Sequence, residues 1–185
     1  LLQSAHKQNI TMEEIETERE SMEYDVVIVG AGPAGLSSAI KLKQLCDEAS
    51  IEISICVVEK GSEVGAHILS GNVFDPKALK ELIPNWEEAG APLNTPVKND
   101  SVRYFINDST SLPIPTFLAT TFKNHGNYIM SLGNFCRWLA EQAESLEIDV
   151  FPGFTASHLI YKDDVVVGIS TGDMGIDANG DKKPS

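Results

Sequence analysis

The sequence is short of positive charge. Fourteen Lys and Arg stand against 27 Asp and Glu in 185 residues, a formal net charge of −13. A basic nucleic-acid footprint is therefore disfavoured. Cysteine is scarce: Cys46, Cys56 and Cys136 are odd in number, far apart and in no CxxC pair. That argues against a disulfide scaffold, a zinc site or a complete iron–sulfur site within this stretch. The three read as small buried hydrophobes in a reducing compartment. No apolar run approaches the ~18 residues of a spanning helix. There is no GxSxG, no HExxH and no paired His/carboxylate spacing. Hydrolase and metalloenzyme readings have little support, and no residue is assigned a catalytic or metal-binding role. Repeats and low-complexity segments are absent from the sequence too.

What is present is ordinary globular material, 42% hydrophobic and 22% charged, of a length suited to one domain. Residues 1–23 read as an acidic mobile arm, and residues 1–25 hold seven acids against Lys7 and Arg19. The arm has no apolar h-region of a signal peptide and is too acidic for a typical transit peptide. Met12 and Met22 are both candidate starts. The polar, turn-rich 172–185 suggests a fold incomplete at its C-terminus.

Between the ends, Tyr24–Val29 predicts a buried parallel strand. Gly30–Gly35 breaks it, and Leu36 to Cys46 places Leu36, Ala39, Ile40, Leu42, Leu45 and Cys46 on one helical face. Ile51–Val58 predicts a second strand, which completes a βαβ unit. Asp75 reads as an N-cap with Pro76 at the first position of a helix ending near Leu82. Residues 83–97 read as an extended loop. Val102–Ile106 predicts a strand with a turn at Asn107–Ser109, and 110–124 carries no clear signal. Tyr128–Met130 reads as a strand, 131–145 as a helix capped by Ser131, and Ile148–Phe151 as another strand. Thr155–Tyr161 and Val165–Thr171 flank Lys162-Asp163-Asp164 as a β-hairpin.

Gly30-Ala31-Gly32-Pro33-Ala34-Gly35 is a GxGxxG, a weak signal alone and a stronger one between a buried strand and an amphipathic helix. Gly30 suits the tight turn, Gly32 lets a pyrophosphate approach the backbone, and Gly35 lets the helix pack on the strand. The helix N-terminus favours an anion. Glu59, 29 residues after Gly30, ends the second strand, where it can accept from a ribose diol and repel a 2′-phosphate. The fingerprint does not separate NAD from FAD. The later order of strand, capped helix, strand and hairpin leans to FAD. The fold class is thus α/β, a Rossmann-like FAD/NAD(P)-binding domain of the glutathione-reductase type. It spans residues 24–185, with 64–124 inserted.

Longer strings carry a closer likeness. YDVVIVGAGPAGLSSAIKLKQL (24–45), VVEKGSEVGAHILSGNVFDPKALKELIPNWEEAGAPLNTPV (57–97), HGNYIMSLGNFCRWLAEQAE (125–144) and GISTGDMGI (168–176) resemble the electron transfer flavoprotein–ubiquinone oxidoreductases. The first string is general among FAD proteins. GAHILSG followed by IPNW and GAPLNTPV has no generic structural reason to exist.

The resemblance implies a peripheral membrane enzyme at an inner membrane, on the cytoplasmic face in a bacterium or the matrix face in a mitochondrion. It would pass electrons from reduced electron transfer flavoprotein through a 4Fe-4S cluster and FAD to ubiquinone. It places Gly30, Gly32, Pro33, Ala34, Gly35, Glu59 and Lys60 around the ADP half of FAD. Gly65, Ala66, His67, Leu69, Ser70 and Gly71 fall on the ribityl and flavin side, and a membrane-dipping surface falls near residues 64–85. Three departures stand out. The family's cluster cysteines are not in this chain. The chain stops before the second, Gly-Asp-type flavin motif. Ser131, also assigned to the cofactor, stands where many relatives have an Arg, a good N-cap in place of a cationic phosphate contact.

Other residues stay open. His67 is either a flavin-side contact or a loop histidine, and His125 reads as structural. Trp86 is either a loop anchor or a membrane-interface aromatic, with the anchor favoured. Alternatives to the main reading are another FAD oxidoreductase of this fold, geranylgeranyl-reductase-like or FixC-like, and a non-catalytic nucleotide-binding fragment.

Overall fold

The computed structural model describes residues 10–11, 20–115 and 123–172. The rest of the acidic arm, Met12, residues 116–122 of the inserted stretch and the polar tail from 173 lie outside the described residues. The chain forms two compact units, Leu1–His67 with Leu139–Ser185, and Ile68–Trp138.

The first unit is built on strands β2 (Val26–Val29), β3 (Ile55–Glu59) and β9 (Asp149–Pro152), with helix α1 (Pro33–Glu48) between the first two. All three strands are parallel, in the order β2-β3-β9, with Val27 opposite Cys56 and Cys56 opposite Asp149. The β-branched central strand is buried from Ile55 to Val58. Leu36, Ala39 and Ile40 of α1 are fully buried, while Leu45 is half exposed. Burying such a side chain is worth about 1.5–3 kcal/mol. Cys56 and Cys136 are buried and Cys46 is half-buried; all three are free thiols. Burial, and then the Asp149 carboxylate, push the Cys56 thiol up to about 11.

Two expectations for this unit change. The edge strand β2 is covered on one face only: Ile28 faces α1, whereas Val27 and Val29 point away and are exposed. The second strand starts at Ile55, not Ile51. The Asp25 carboxylate accepts from both the amide and the hydroxyl of Ser54, at 2.8 and 2.7 Å, and the Ser54 carbonyl accepts from Val26 N–H. This exchange starts the ladder and leaves 51–54 outside it. It also holds the Asp25 carboxyl below its ordinary value. A second sheet follows the order β1-β10-β11. β10 (Ala156–Lys162) and β11 (Val165–Thr171) form the expected hairpin, and both turn residues, Asp163 and Asp164, have positive φ, as a two-residue primed turn requires. β1 (Ile10–Thr11), within the arm, pairs in parallel with Ile160 and Tyr161.

The second unit has an aromatic core. β4 (Asn72–Phe74) and β5 (Thr95–Pro96) flank β8 (Tyr128–Met130), antiparallel to both. Helix α2 (Lys77–Leu82) buries Leu79. The helix runs from Lys77 with Pro76 at the cap, and the Asp75 carboxylate accepts from Lys77 N–H at 2.9 Å, the kind of bond a capping side chain makes. Trp86 is buried and meets Tyr128 edge-on at 5.8 Å, so it is an anchor. Trp138 donates its indole N–H to Ala89 O at 2.9 Å and stacks on Phe135, which touches Phe74. Residues 110–114 form β7 (Thr110–Ile114), paired with β6 (Val102–Asn107). Helix α3 (Leu132–Ser145) begins after Ser131, whose hydroxyl accepts from Asn134 N–H at 3.4 Å. The boundary between the units falls within α3, and Leu139, Ala143 and Ile148 are buried on the first unit's side.

Candidate functional site

The glycine turn lies at the C-terminal end of β2. Gly30 has φ +102 and donates to Val58 O at 2.7 Å, so the chain leaves the ladder in a conformation suited to glycine. A Cβ at Gly35 would overlap the Gly30 carbonyl oxygen and press on Ile28. Close helix–strand packing therefore requires glycine there. Gly32 differs. Its φ of −80 suits any residue, and a Cβ on it would meet no protein atom within 4 Å. Among the described residues, neither backbone nor packing demands glycine at Gly32, and its bare backbone leaves room for a ligand to approach. Gly32 is the N-cap of α1 and has no side-chain cap bond; Pro33 follows with no N–H to give. The N–H groups of the first helical turn lack helical acceptors, and no acid stands in that turn to compete for an anion. The chemistry on offer is that of a pyrophosphate cradle.

Glu59 is half-buried at the end of β3. Its Oε2 accepts from Ala31 N–H at 3.0 Å and its Oε1 from Gly61 N–H at 2.7 Å. The carboxylate thus faces the glycine turn. Lys60 next to it is exposed. Gly61 was missed by the sequence reading. It is buried, and a Cβ on it would crowd Glu63 O, Glu59 Oε1 and His67 Nδ1 at 3.1, 3.2 and 3.4 Å. Its one sequence signal is a glycine two residues after the strand-ending acid. The same distances put His67 against this turn. Gly65 has φ +86, and Ala66 donates to Glu63 O at 3.3 Å.

In the second unit, Ser70 donates to the Ser131 hydroxyl at 2.9 Å. Gly71 has φ +85, and Leu69 is 92% exposed. Asn72 was also missed; its Oδ1 is buried with no hydrogen-bond partner among the described residues. The structure thus brings Gly30–Gly35, Glu59 and His67 to one end of the parallel sheet, and pairs Ser70 with Ser131.

Comparison with known proteins is decisive for the resemblance. A protein so named from Pseudomonas aeruginosa is 60% identical over 168 residues, 90% of this chain and 30% of that protein. The chain is homologous to electron transfer flavoprotein–ubiquinone oxidoreductase. The mitochondrial protein of that name from Dictyostelium discoideum is 58% identical over 88% of this chain and 26% of its own length. The human one is 48% identical over 92% and 28%. The chain therefore spans less than a third of these relatives. A family described as an NAD(P)-binding Rossmann-like domain matches residues 28–105. Among solved structures, a geranylgeranyl bacteriochlorophyll reductase-like protein from Thermoplasma acidophilum superposes with a TM-score of 0.57 at 20% identity, over 80% of this chain and 34% of that one. FqzB superposes at 0.53 with 19% identity, over 80% and 33%. These two likenesses show the Rossmann-like fold.

Proposed function

We propose that the chain is the nucleotide-holding part of an FAD-dependent oxidoreductase that passes electrons from reduced electron transfer flavoprotein, by way of a 4Fe-4S cluster and FAD, to ubiquinone. The observation that carries this reading is the 60% identity over 90% of the chain, which includes the glycine turn and Glu59. FAD, when bound, supplies the redox chemistry. The protein's part is binding and orientation. Gly30, Gly32, Pro33, Ala34 and Gly35 form the pyrophosphate turn, and the remaining lone pairs of Glu59 face the adenosine ribose, with Lys60 beside it. Gly65, Ala66 and His67 in the first unit, and Leu69, Ser70, Gly71 and Ser131 in the second, are assigned by resemblance to the cofactor. The cluster's ligands belong to sequence that this chain does not contain. Among the described residues, no group of three or more His, Cys, Asp or Glu could hold a metal ion.

The membrane contact is peripheral in this reading. Among the described residues, no helix is long and apolar enough to cross a membrane. Within residues 64–85 the exposed large apolar side chains are Leu69 and Val73. The β6–β7 hairpin exposes more: Tyr104, Phe105, Ile106 and Leu112. Val102 opposes Ile114 and Tyr104 opposes Leu112, so one face of this two-stranded ribbon is apolar. A two-stranded ribbon with an apolar face needs a second layer, and a lipid surface is the proposed one, at an inner membrane.

The test is to purify the full-length protein that contains this chain, identify the acid-released cofactor, and supply reduced electron transfer flavoprotein with a short-chain ubiquinone. FAD release and quinone reduction are expected. FAD without flavoprotein-dependent quinone reduction would move the reading to another FAD oxidoreductase. Bound AMP or ADP with no flavin would move it to a non-catalytic nucleotide-binding module.

A further inference from the structure

Three turns leave the same end of the parallel sheet, after β2, β3 and β9, and one side chain reaches all of them directly or at one remove. Glu59, opposite Pro152 in register, accepts from Ala31 N–H in the turn after β2 at 3.0 Å. With its other oxygen it accepts from Gly61 N–H in the turn after β3 at 2.7 Å. The Gly61 carbonyl then accepts from Gly153 N–H after β9, at 2.7 Å. A Cβ at Gly61 would press on Glu63 O and Glu59 Oε1 at 3.1 and 3.2 Å, so the carboxylate would have to give by a few tenths of an ångström. Gly153, with φ +86, bends back to make its bond.

We propose that Glu59 is a positioning residue that clasps the glycine turn to the turn after β3, itself bonded through its backbone to the turn after β9, in addition to any contact it makes with a ribose. Its significance for ligand binding rests on the nucleotide reading above; the clasp itself does not. A carboxylate has about four lone-pair sites on two oxygens. Two are used by the clasp, and two remain for ribose hydroxyls, so both roles fit one side chain. The Ala31 amide is committed to Glu59, and a pyrophosphate would be held by the N–H groups at the start of α1. The chemistry also explains an acid here over an amide. Two N–H donors approach the two oxygens, and a Gln would present its own NH2 to one of them, donor against donor. Bonds to a charged acceptor are the stronger kind.

The experiment is residue-resolved amide exchange on the 185-residue chain with no nucleotide added. In the wild type, the Ala31 and Gly61 amides should exchange at least about tenfold slower than unbonded loop amides, as hydrogen bonds to a charged group imply. Glu59→Asp shortens the side chain but keeps both oxygens. It should still cover the amide two residues on, at Gly61, as Asp does in a local turn, and should release Ala31 by about tenfold. Glu59→Gln should release at least one of the two. The Val57 amide, in the core strand, reports whether each variant is folded, and wild-type protection alone decides the matter if a variant is not. Free exchange at Ala31 and Gly61 in the wild type, or unchanged exchange at both in a folded Glu59→Asp, would overturn the clasp. ADP binding is measured separately and bears only on the nucleotide reading.

Discussion

The two glycine-bearing segments of the candidate site are built on different principles. Gly30–Gly35 is over-determined: a positive φ at Gly30, a backbone overlap awaiting any side chain at Gly35, and a carboxylate fastened to Ala31. Gly65–Gly71 has positive φ at both end glycines and one serine pair, and Leu69 stands in solvent. The first segment is held by its own strand and helix. The second has the Ala66 amide bonded to Glu63 O and the Ser70–Ser131 pair.

Substitutions sharpen that contrast. Gly35→Ala should be the most damaging, because the Gly30 carbonyl it meets is backbone and cannot turn aside. Overpacking of this kind costs about 3 kcal/mol. Thermal unfolding should fall by roughly 6–12 °C for a chain of this size. Gly71→Ala meets no atom within 4 Å and pays only for its φ of +85, about 1 kcal/mol; its melting point should fall by roughly 2–4 °C. Equal losses at the two positions would erase the distinction drawn here.

The smallest effect expected is pH-dependent. The Ser54 amide and hydroxyl hold the Asp25 carboxyl below its ordinary value of 3.8. A lowered value in the folded state contributes stability that is present above pH 3.8 and is lost as pH falls through the folded value. Asp25→Asn should therefore be slightly less stable than wild type at neutral pH, with the gap closing on acidification below that point. Urea unfolding at pH 7 and pH 3 measures the gap, and a gap that widens in acid would refute the assignment.

The same contrast explains what was legible in the sequence. The glycine turn, α1 and the Asp163-Asp164 hairpin were readable because local sterics dictate them. Ile51–Ser54 alternates like a strand, yet the Asp25–Ser54 exchange starts the ladder at Ile55, and that pairing is 29 residues long-range. β7 was hidden by Pro113, which a two-stranded ribbon tolerates because each strand has a free edge. Gly61 was missed because the crowding of its Cα by the Glu59 carboxylate and His67 arises only on folding. The flavin-side residues were reached through resemblance, not through any physical signature in the segment.

The central claim is that the glycine turn holds the ADP half of a dinucleotide. The most direct measurement is an amide-resolved NMR titration of the chain with ADP, and with the 2′-phosphorylated analogue as control, up to about 1 mM, the weak end of specific binding. The account predicts saturable shifts confined to Gly30–Gly35 and Glu59–Gly61 with ADP, and at least about tenfold weaker binding of the 2′-phosphate form, which meets the Glu59 carboxylate. Shifts elsewhere with none at the glycine turn, or equal binding of the two nucleotides, would contradict it.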